Sequence, residues 1–333
     1  MPTSGWRSTA ANIALARRIF RFRRCRQGAS HEPACGLAQY AEHVAGWRNP
    51  LQRPGRVDCV QANGEPTVAG GSLEWAIRHR QLVVHYQPIA ELATRQCVGV
   101  EALVRWRQDG HNIAPDVFIP LVEEHGLIQR LTDLVLDKTL EELRTHLRAN
   151  PAFYVSLNVS AEDMRTDRFL RLLTSRLECS GIAPGQIRIE VTERSFMDAD
   201  VFQDMIAAFR RAGHPIYLDD FGTGYSSLSY LQNFKVDALK IDKSFVDTID
   251  QDTASSPVAL HIIRMAQDLG LNVVAEGIEL DSQARYLALH KVRYGQGWFF
   301  AKPMPARDLF AYLRHQISEN ECRSAVESLS RTV

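Results

Sequence analysis

The chain has 333 residues, 45% of them hydrophobic, which is enough apolar material for one sizeable core and excludes a wholly disordered polymer. Lysine plus arginine and aspartate plus glutamate both total 39, so no field over the whole molecule would draw it to a nucleic acid polymer. The balance hides an asymmetry: residues 1–70 carry ten Lys or Arg against four Asp or Glu, leaving the head about +6 and the remainder about −6.

In chain order, the first feature is the basic segment NIALARRIFRFRRCRQ from Asn12. It is expected to be part of a solvated, largely disordered head; the alternative is a short amphipathic helix resting weakly on anionic lipid. From His31 to Gly71 the mixed Gly, Pro, Asn and Gln content reads as a linker, and Ser72 is expected to cap a short helix. Residues 1–70 are therefore set apart from a barrel domain over 71–320, with 321–333 as a C-terminal tail. Six scattered cysteines, with no CxxC pair, fit a reducing cytoplasm better than a disulfide framework. No apolar run is long enough to cross a bilayer.

From Leu82 onward, short β-branched runs alternate with helical stretches. Strands are predicted at Leu82–Pro88, Cys97–Trp106, Phe153–Ser160, Gln186–Glu193, Pro215–Asp220, Val236–Asp242, Leu271–Gly277 and Val292–Gly297. Amphipathic helices lie between most of them, as at Ile128–Leu147, with Leu and Val three and four apart. Eight strands interleaved with helices over about 240 residues have the rhythm of an α/β (β/α)8 TIM-like barrel; an open doubly wound sheet is the alternative.

The polar residues fall in a pattern. Glu101, Asn158, Glu190, Asp219, Asp220, Lys240, Glu276 and Gln296 lie in, or at the C-terminal ends of, predicted strands. In a closed barrel those ends share one face, and period-two alternation sends Glu101, Leu103 and Arg105 to the same side. Singly, each has a structural explanation: Asn158 could cap a turn, and Lys240 could pair with Asp242. Together, so many polar groups would be a costly way to fill a core.

Carboxylates and an amide, without His or thiolate, suit hard divalent cations, Mg²⁺ or Mn²⁺. The adjacent Asp219 and Asp220 can then both stay ionised against metal, and two ions bridged by an aspartate are suited to water attack on a phosphoester. Glu193 and Glu279 read as loop braces. GTGYSS lacks the remainder of a P-loop, GYSSL is not a nucleophile elbow, and no HExxH is present.

The series YQP, EALVRW, NVS, EVTE, DDFGTGYSSL, KIDKSFV, EGIE and QGWFFAKP, in that order from Leu82 to Leu313, resembles the EAL domain of bacterial cyclic di-GMP phosphodiesterases. The resemblance implies hydrolysis of cyclic di-GMP to linear pGpG with two Mg²⁺ or Mn²⁺ ions. It implies that Glu101, Asn158, Glu190 and Asp219 hold one ion, while Asp219, Asp220 and Glu276 hold the other. Lys240 would orient or deprotonate the attacking water, with Gln296 aiding the same site. Arg105 would clamp a phosphate, and Gln87 and Leu103 would line the cleft.

The family's regulatory loop corresponds to Phe221–Leu228, braced by Glu193, and implies a homodimer through the barrel and the 219–228 loop. Trp298 and Ile278 are small departures from the family pattern. The head lacks a GGDEF partner. The barrel resembles the subgroup that follows a membrane-anchored periplasmic sensor, with Arg17–Arg26 as a juxtamembrane remnant at the inner face of the membrane. The rival functions are a module that binds cyclic di-GMP without cutting it, and a scaffold acting through the basic head.

Overall fold

The computed structural model describes residues 70–79, 81–108, 111–192, 199–222, 234–249 and 256–330. The readings made for residues 1–69, for Glu193 and for the 223–228 part of the loop lie outside them. The first helix, α1 (Gly70–Arg78), begins two residues before Ser72, so Ser72 sits within the helix and does not cap it. The hairpin β1 (Leu82–Glu91) and β2 (Cys97–Gln108) follows, then β3 (His111–Ile113), α2 (Pro115–Glu124) and α3 (Ile128–Ala149).

Strand and helix then alternate through β4 (Tyr154–Asn158), α4 (Arg168–Ser180), β5 (Ile187–Thr192), α5 (Ala199–Arg211) and β6 (Ile216–Phe221), and β7 (Ala238–Ile241) is the next described element. The chain continues through the single turn α6 (Lys243–Val246), α7 (Ser256–Asp268), β8 (Asn272–Ala275), α8 (Asp281–Leu289) and β9 (Tyr294–Gln296). The last helix, α9 (Ala306–Ser330), runs across the boundary drawn at 320. No helix among the described residues is long and apolar enough to cross a membrane.

The sheet order is β1-β9-β8-β7-β6-β5-β4-β2, and β1 also bonds to β2, so eight strands close into a barrel; β3 is an appendage of β2. Each predicted strand is present; five lie inside their expected spans, while β1 runs three residues past its expected end, β2 two and β6 one. The barrel departs from an all-parallel one because β1 runs antiparallel to both of its neighbours. The five residues between β1 and β2 cannot hold the crossover that a parallel pair needs. The β2–β4 ladder ends at Ala102↔Leu157, whereas the β1–β2 hairpin continues to Leu82↔Trp106. The hairpin therefore rises past the barrel rim and carries Leu103 and Arg105 there.

Alternation along each strand separates two environments. In β5, Ile187, Ile189 and Val191 join an apolar layer with Phe169 of α4 and Phe209 of α5, while Arg188 and Glu190 take the other parity. The inner parity forms a separate cluster of Ile89, Tyr154, Tyr217, Ala238, Val274 and Tyr294. The Arg188 guanidinium carbon lies 3.1 Å from the ring centre of Tyr154, 4.9 Å from that of Tyr217 and 5.8 Å from that of Tyr294, and Arg188 also donates to the Tyr217 hydroxyl. This aromatic and cationic plug fills the barrel beneath the rim, so the polar groups above it face one open end.

Candidate functional site

Seven strands and the residue after an eighth each contribute one polar side chain to a connected cluster. Gln87 comes from β1, Glu101 from β2, Asn158 from β4, Glu190 from β5, Asp219 from β6, Lys240 from β7 and Gln296 from β9, while Glu276 directly follows β8. Their positions follow from the inward parity of each strand and from the closure of the sheet.

Lys240 is the centre of this cluster and is 1% exposed. Its Nζ lies 2.6 Å from Glu276 Oε1, 2.8 Å from Glu190 Oε2, 3.1 Å from Asp219 Oδ1 and 3.6 Å from Glu101 Oε2. Asp242 instead caps α6 by accepting from the Ser244 amide at 2.9 Å, which rules out the simple Lys240–Asp242 pair as the reason for either residue. Nor does Asn158 serve as a turn cap: its Nδ2 donates to Glu101 Oε1 at 2.7 Å. Gln296 Nε2 donates to Glu101 Oε2 at 2.7 Å and to Gln87 Oε1 at 2.9 Å.

Asp220 joins the cluster by a local irregularity. Regular alternation would turn it away from Asp219, but the β6–β7 register slips between Leu218 and Phe221, and Asp220 has φ +54. Its carboxylate then reaches the rim beside Asp219 and Glu276, and its amide donates to Asp219 Oδ1 at 2.9 Å. Backbone strain at a non-glycine residue is here coupled to placing two like charges together.

Two carboxylate triads result, Glu101–Glu190–Asp219 and Asp219–Asp220–Glu276, each with one oxygen per residue within 4.8 Å of the others. Asp219 belongs to both. With all five acids ionised and Lys240 charged, the cluster carries four net negative charges, which a pair of divalent cations would cancel. Glu190 Oε1 is buried without a hydrogen-bond partner, as expected of an oxygen that takes a cation rather than a donor. The residues therefore fit hard divalent ions.

Electrostatics differ from acid to acid. Burial pushes the Glu276 carboxyl up; Lys240 opposes this and the neighbouring acids add to it, leaving it at about 8. Burial likewise raises Glu190 well above the ordinary range against the pull of Lys240. Burial also acts on Glu101, but Lys240 and the Gln296 and Asn158 amides outweigh it and hold that carboxyl below its ordinary value. Burial disfavours the Lys240 ammonium, yet the surrounding carboxylates, Asp219 foremost, keep it charged and its pKa high.

Because Glu190 and Glu276 titrate higher in the folded chain than in the unfolded one, the folded state binds more protons between the ordinary Glu range and about pH 8. Without cations, stability is therefore lost as pH rises through that window. The melting temperature of the cation-free protein is expected to fall between about pH 6 and about pH 8.5, with saturating Mg²⁺ or Mn²⁺ removing most of the fall. Parallel cation-free and cation-loaded melting curves check this; a flat cation-free profile would contradict it.

Around the cluster, Leu103 and Arg105 share the parity of Glu101 and are half-buried on the raised hairpin. Gln87 also donates to the Ala301 carbonyl at 3.3 Å, tying the segment after β9 to the rim. Glu279 pairs with Lys243 at 2.8 Å, away from the cluster itself. The sequence reading did not single out the Lys243–Glu279 ion pair, whose lysine stem lies beside Gly277, a glycine placed directly after a candidate ligand.

The family model described as EAL domain matches residues 71–303. The chain is 44% identical over 246 residues to the Escherichia coli protein named "Probable cyclic di-GMP phosphodiesterase PdeB", covering 74% of this chain and 47% of that protein. It is 37% identical over 282 residues to the Pseudomonas aeruginosa protein named "Cyclic di-GMP phosphodiesterase NbdA", covering 84% of this chain and 36% of that one. The chain thus spans less than half the length of these two relatives. Among solved structures, "PaMucR Phosphodiesterase, c-di-GMP complex" is similar with TM-score 0.68 and 34% identity over 72% of this chain and 98% of that chain. "Structure of EAL Enzyme Bd1971 - cAMP and cyclic-di-GMP bound form" gives TM-score 0.70 and 32% identity over 73% of this chain and 68% of that one.

Proposed function

The chain belongs to the EAL domain family, and from that premise we propose that it hydrolyses cyclic di-GMP to linear pGpG at the acidic barrel rim. The observation that carries this reading is Asp219, the one carboxylate shared by two triads whose net charge calls for two divalent ions. Glu101, Asn158, Glu190 and Asp219 would hold one Mg²⁺ or Mn²⁺; Asp219, Asp220 and Glu276 would hold the other. When bound, such a pair polarises a phosphoryl group and acidifies the attacking water.

The remaining side chains bind and orient. Arg105, on the raised hairpin, clamps a substrate phosphate, and Gln87 and Leu103 line the nucleotide cleft. Gln296 keeps Glu101 and Gln87 fixed relative to each other through its two hydrogen bonds. Lys240, which the surrounding carboxylates keep as an ammonium, orients the attacking water by donating to it; with no free lone pair it does not serve as the base that takes the proton. Water's hydroxyl joins phosphorus, one phosphorus–O3′ bond breaks, and the proton passes to the departing 3′ oxygen, so one 5′-phosphate ends the linear product.

The same reading places residues 71–320 as the catalytic barrel and residues 1–70 and 321–333 as flanking segments of a cytoplasmic protein. The head would contact the inner membrane face weakly, and the 219–228 loop, with Glu193 and Glu279 as braces, would contribute to a homodimer. Incubation of the purified chain with cyclic di-GMP should yield pGpG with Mg²⁺ or Mn²⁺. Ca²⁺, larger and looser in coordination, should inhibit. Tight binding of the dinucleotide with no turnover under any of these ions would replace hydrolysis by signal relay to a protein partner, and equal turnover with Ca²⁺ would contradict the cation assignment.

A further inference from the structure

We infer that Lys243 is a positioning residue that fixes the loop bearing Glu276 and thereby sets cation affinity on that side of the rim. The inference rests on the proposed reading of Glu276 as a ligand. Lys243 opens α6 three residues after Lys240, where the Asp242 cap sets the direction of the chain. Glu276, by contrast, lies outside any strand; its amide donates to the Ile241 carbonyl at 3.0 Å.

The next residue, Gly277, has φ +66, and a Cβ there would lie within 2.7 Å of three carbons of Lys243. The Lys243 stem is therefore laid flat over the backbone beside Glu276, in space that only glycine leaves open. Its ammonium then reaches Glu279 Oε1 at 2.8 Å and Asp247 Oδ1 at 3.0 Å. The loop's other flank is held by β9: Ile278 donates to the Gln296 carbonyl at 3.0 Å, and Phe299 donates to the Ile278 carbonyl at 2.9 Å. A Cβ on Gly297 would overlap the Ile278 backbone, so that contact is close as well. Glu276 is thus carried on a segment clamped by β9 on one flank and by Lys243 on the other.

A purely structural role predicts a different result. The side chains of Lys243 and Glu279 are 45% and 41% exposed, and exposed pairs contribute little to folding stability. Losing the ammonium should leave melting nearly unchanged while loosening the grip on Glu276, much as removing an outer-shell partner weakens a metal site.

The test is Mn²⁺ titration of the full chain by calorimetry, in wild type, Lys243→Met, Lys243→Arg and Glu279→Gln. Lys243→Met keeps the stem and is expected to weaken one of two cation sites on the order of tenfold. Lys243→Arg should restore affinity, Glu279→Gln should reproduce the loss, and the combined Lys243→Met and Glu279→Gln protein should lose no more than either alone. Wild-type affinity at both sites in Lys243→Met, with the wild type binding two ions, overturns this inference and leaves the proposed hydrolysis standing. A wild type that binds no Mn²⁺ overturns the cation reading, and this inference with it.

Discussion

Asp219→Asn is expected to lower turnover of cyclic di-GMP by about 10³-fold, equivalent to roughly 4 kcal/mol of transition-state stabilisation, while leaving the barrel folded. The substitution changes charge more than shape. An asparagine can still accept the Asp220 amide bond now made to Asp219 Oδ1 at 2.9 Å, so the local turn has no reason to collapse. What disappears is the one negative group common to both triads, 3.1 Å from Lys240. Initial-rate assays at saturating Mg²⁺, with melting curves of both proteins, check the result. Retention of more than a tenth of wild-type turnover would show that Asp219 does not have the shared role given to it here.

Lys240→Met has a second large effect, and it separates folding from catalysis. The ammonium lies within 3.6 Å of oxygens from four carboxylates in a site that water scarcely reaches. Removing it leaves buried acids to repel one another, and breaking a buried ion pair from one side costs about 3–5 kcal/mol. The cation-free variant should therefore melt well below wild type. Divalent cations, supplying the missing positive charge, should raise its melting temperature by more than they raise that of wild type.

Turnover should stay low even after this rescue, by about 10²-fold, because a methionine has no N–H with which to orient the attacking water. Thermal shifts with and without Mn²⁺, followed by rates on the rescued protein, check both halves. A variant as stable as wild type without cations would remove Lys240 from the electrostatic balance of the rim.

The reason so much of this site could be read from the chain lies in a mismatch between residue type and place. Glu101, Glu190 and Lys240 interrupt runs such as VGVEALV, IRIEVT and DALKI, where β-strand burial disfavours charge. Interruptions of that kind in successive strands make sense only if strand ends meet, and the closed sheet brings them together. Asp220 was harder to place, since alternation alone would send it outward; only the register slip and its left-handed φ bring it to the rim.

Other features were less legible for physical reasons. The reversed β1 could have been inferred from the short β1–β2 connection, because chain length alone forbids a parallel crossover there. β3 has only three residues, His-Asn-Ile, and its pairing with β2 comes from tertiary proximity, with no propensity to announce it. Arg188 occupies an inward position and is accommodated by three tyrosines from three other strands, a grouping that no local window of sequence contains. Ser72 had the chemistry of a cap, but the helix already begins at Gly70.

Counting bound cations is the most direct test of the acidic rim. Mn²⁺ titration of wild type and Asp219→Asn, followed by calorimetry on the full chains, should give two ions per wild-type chain and a clear loss of affinity at both sites in the variant. A wild-type stoichiometry below two, or an Asp219→Asn protein that binds both ions as tightly as wild type, would contradict a rim built around one shared carboxylate.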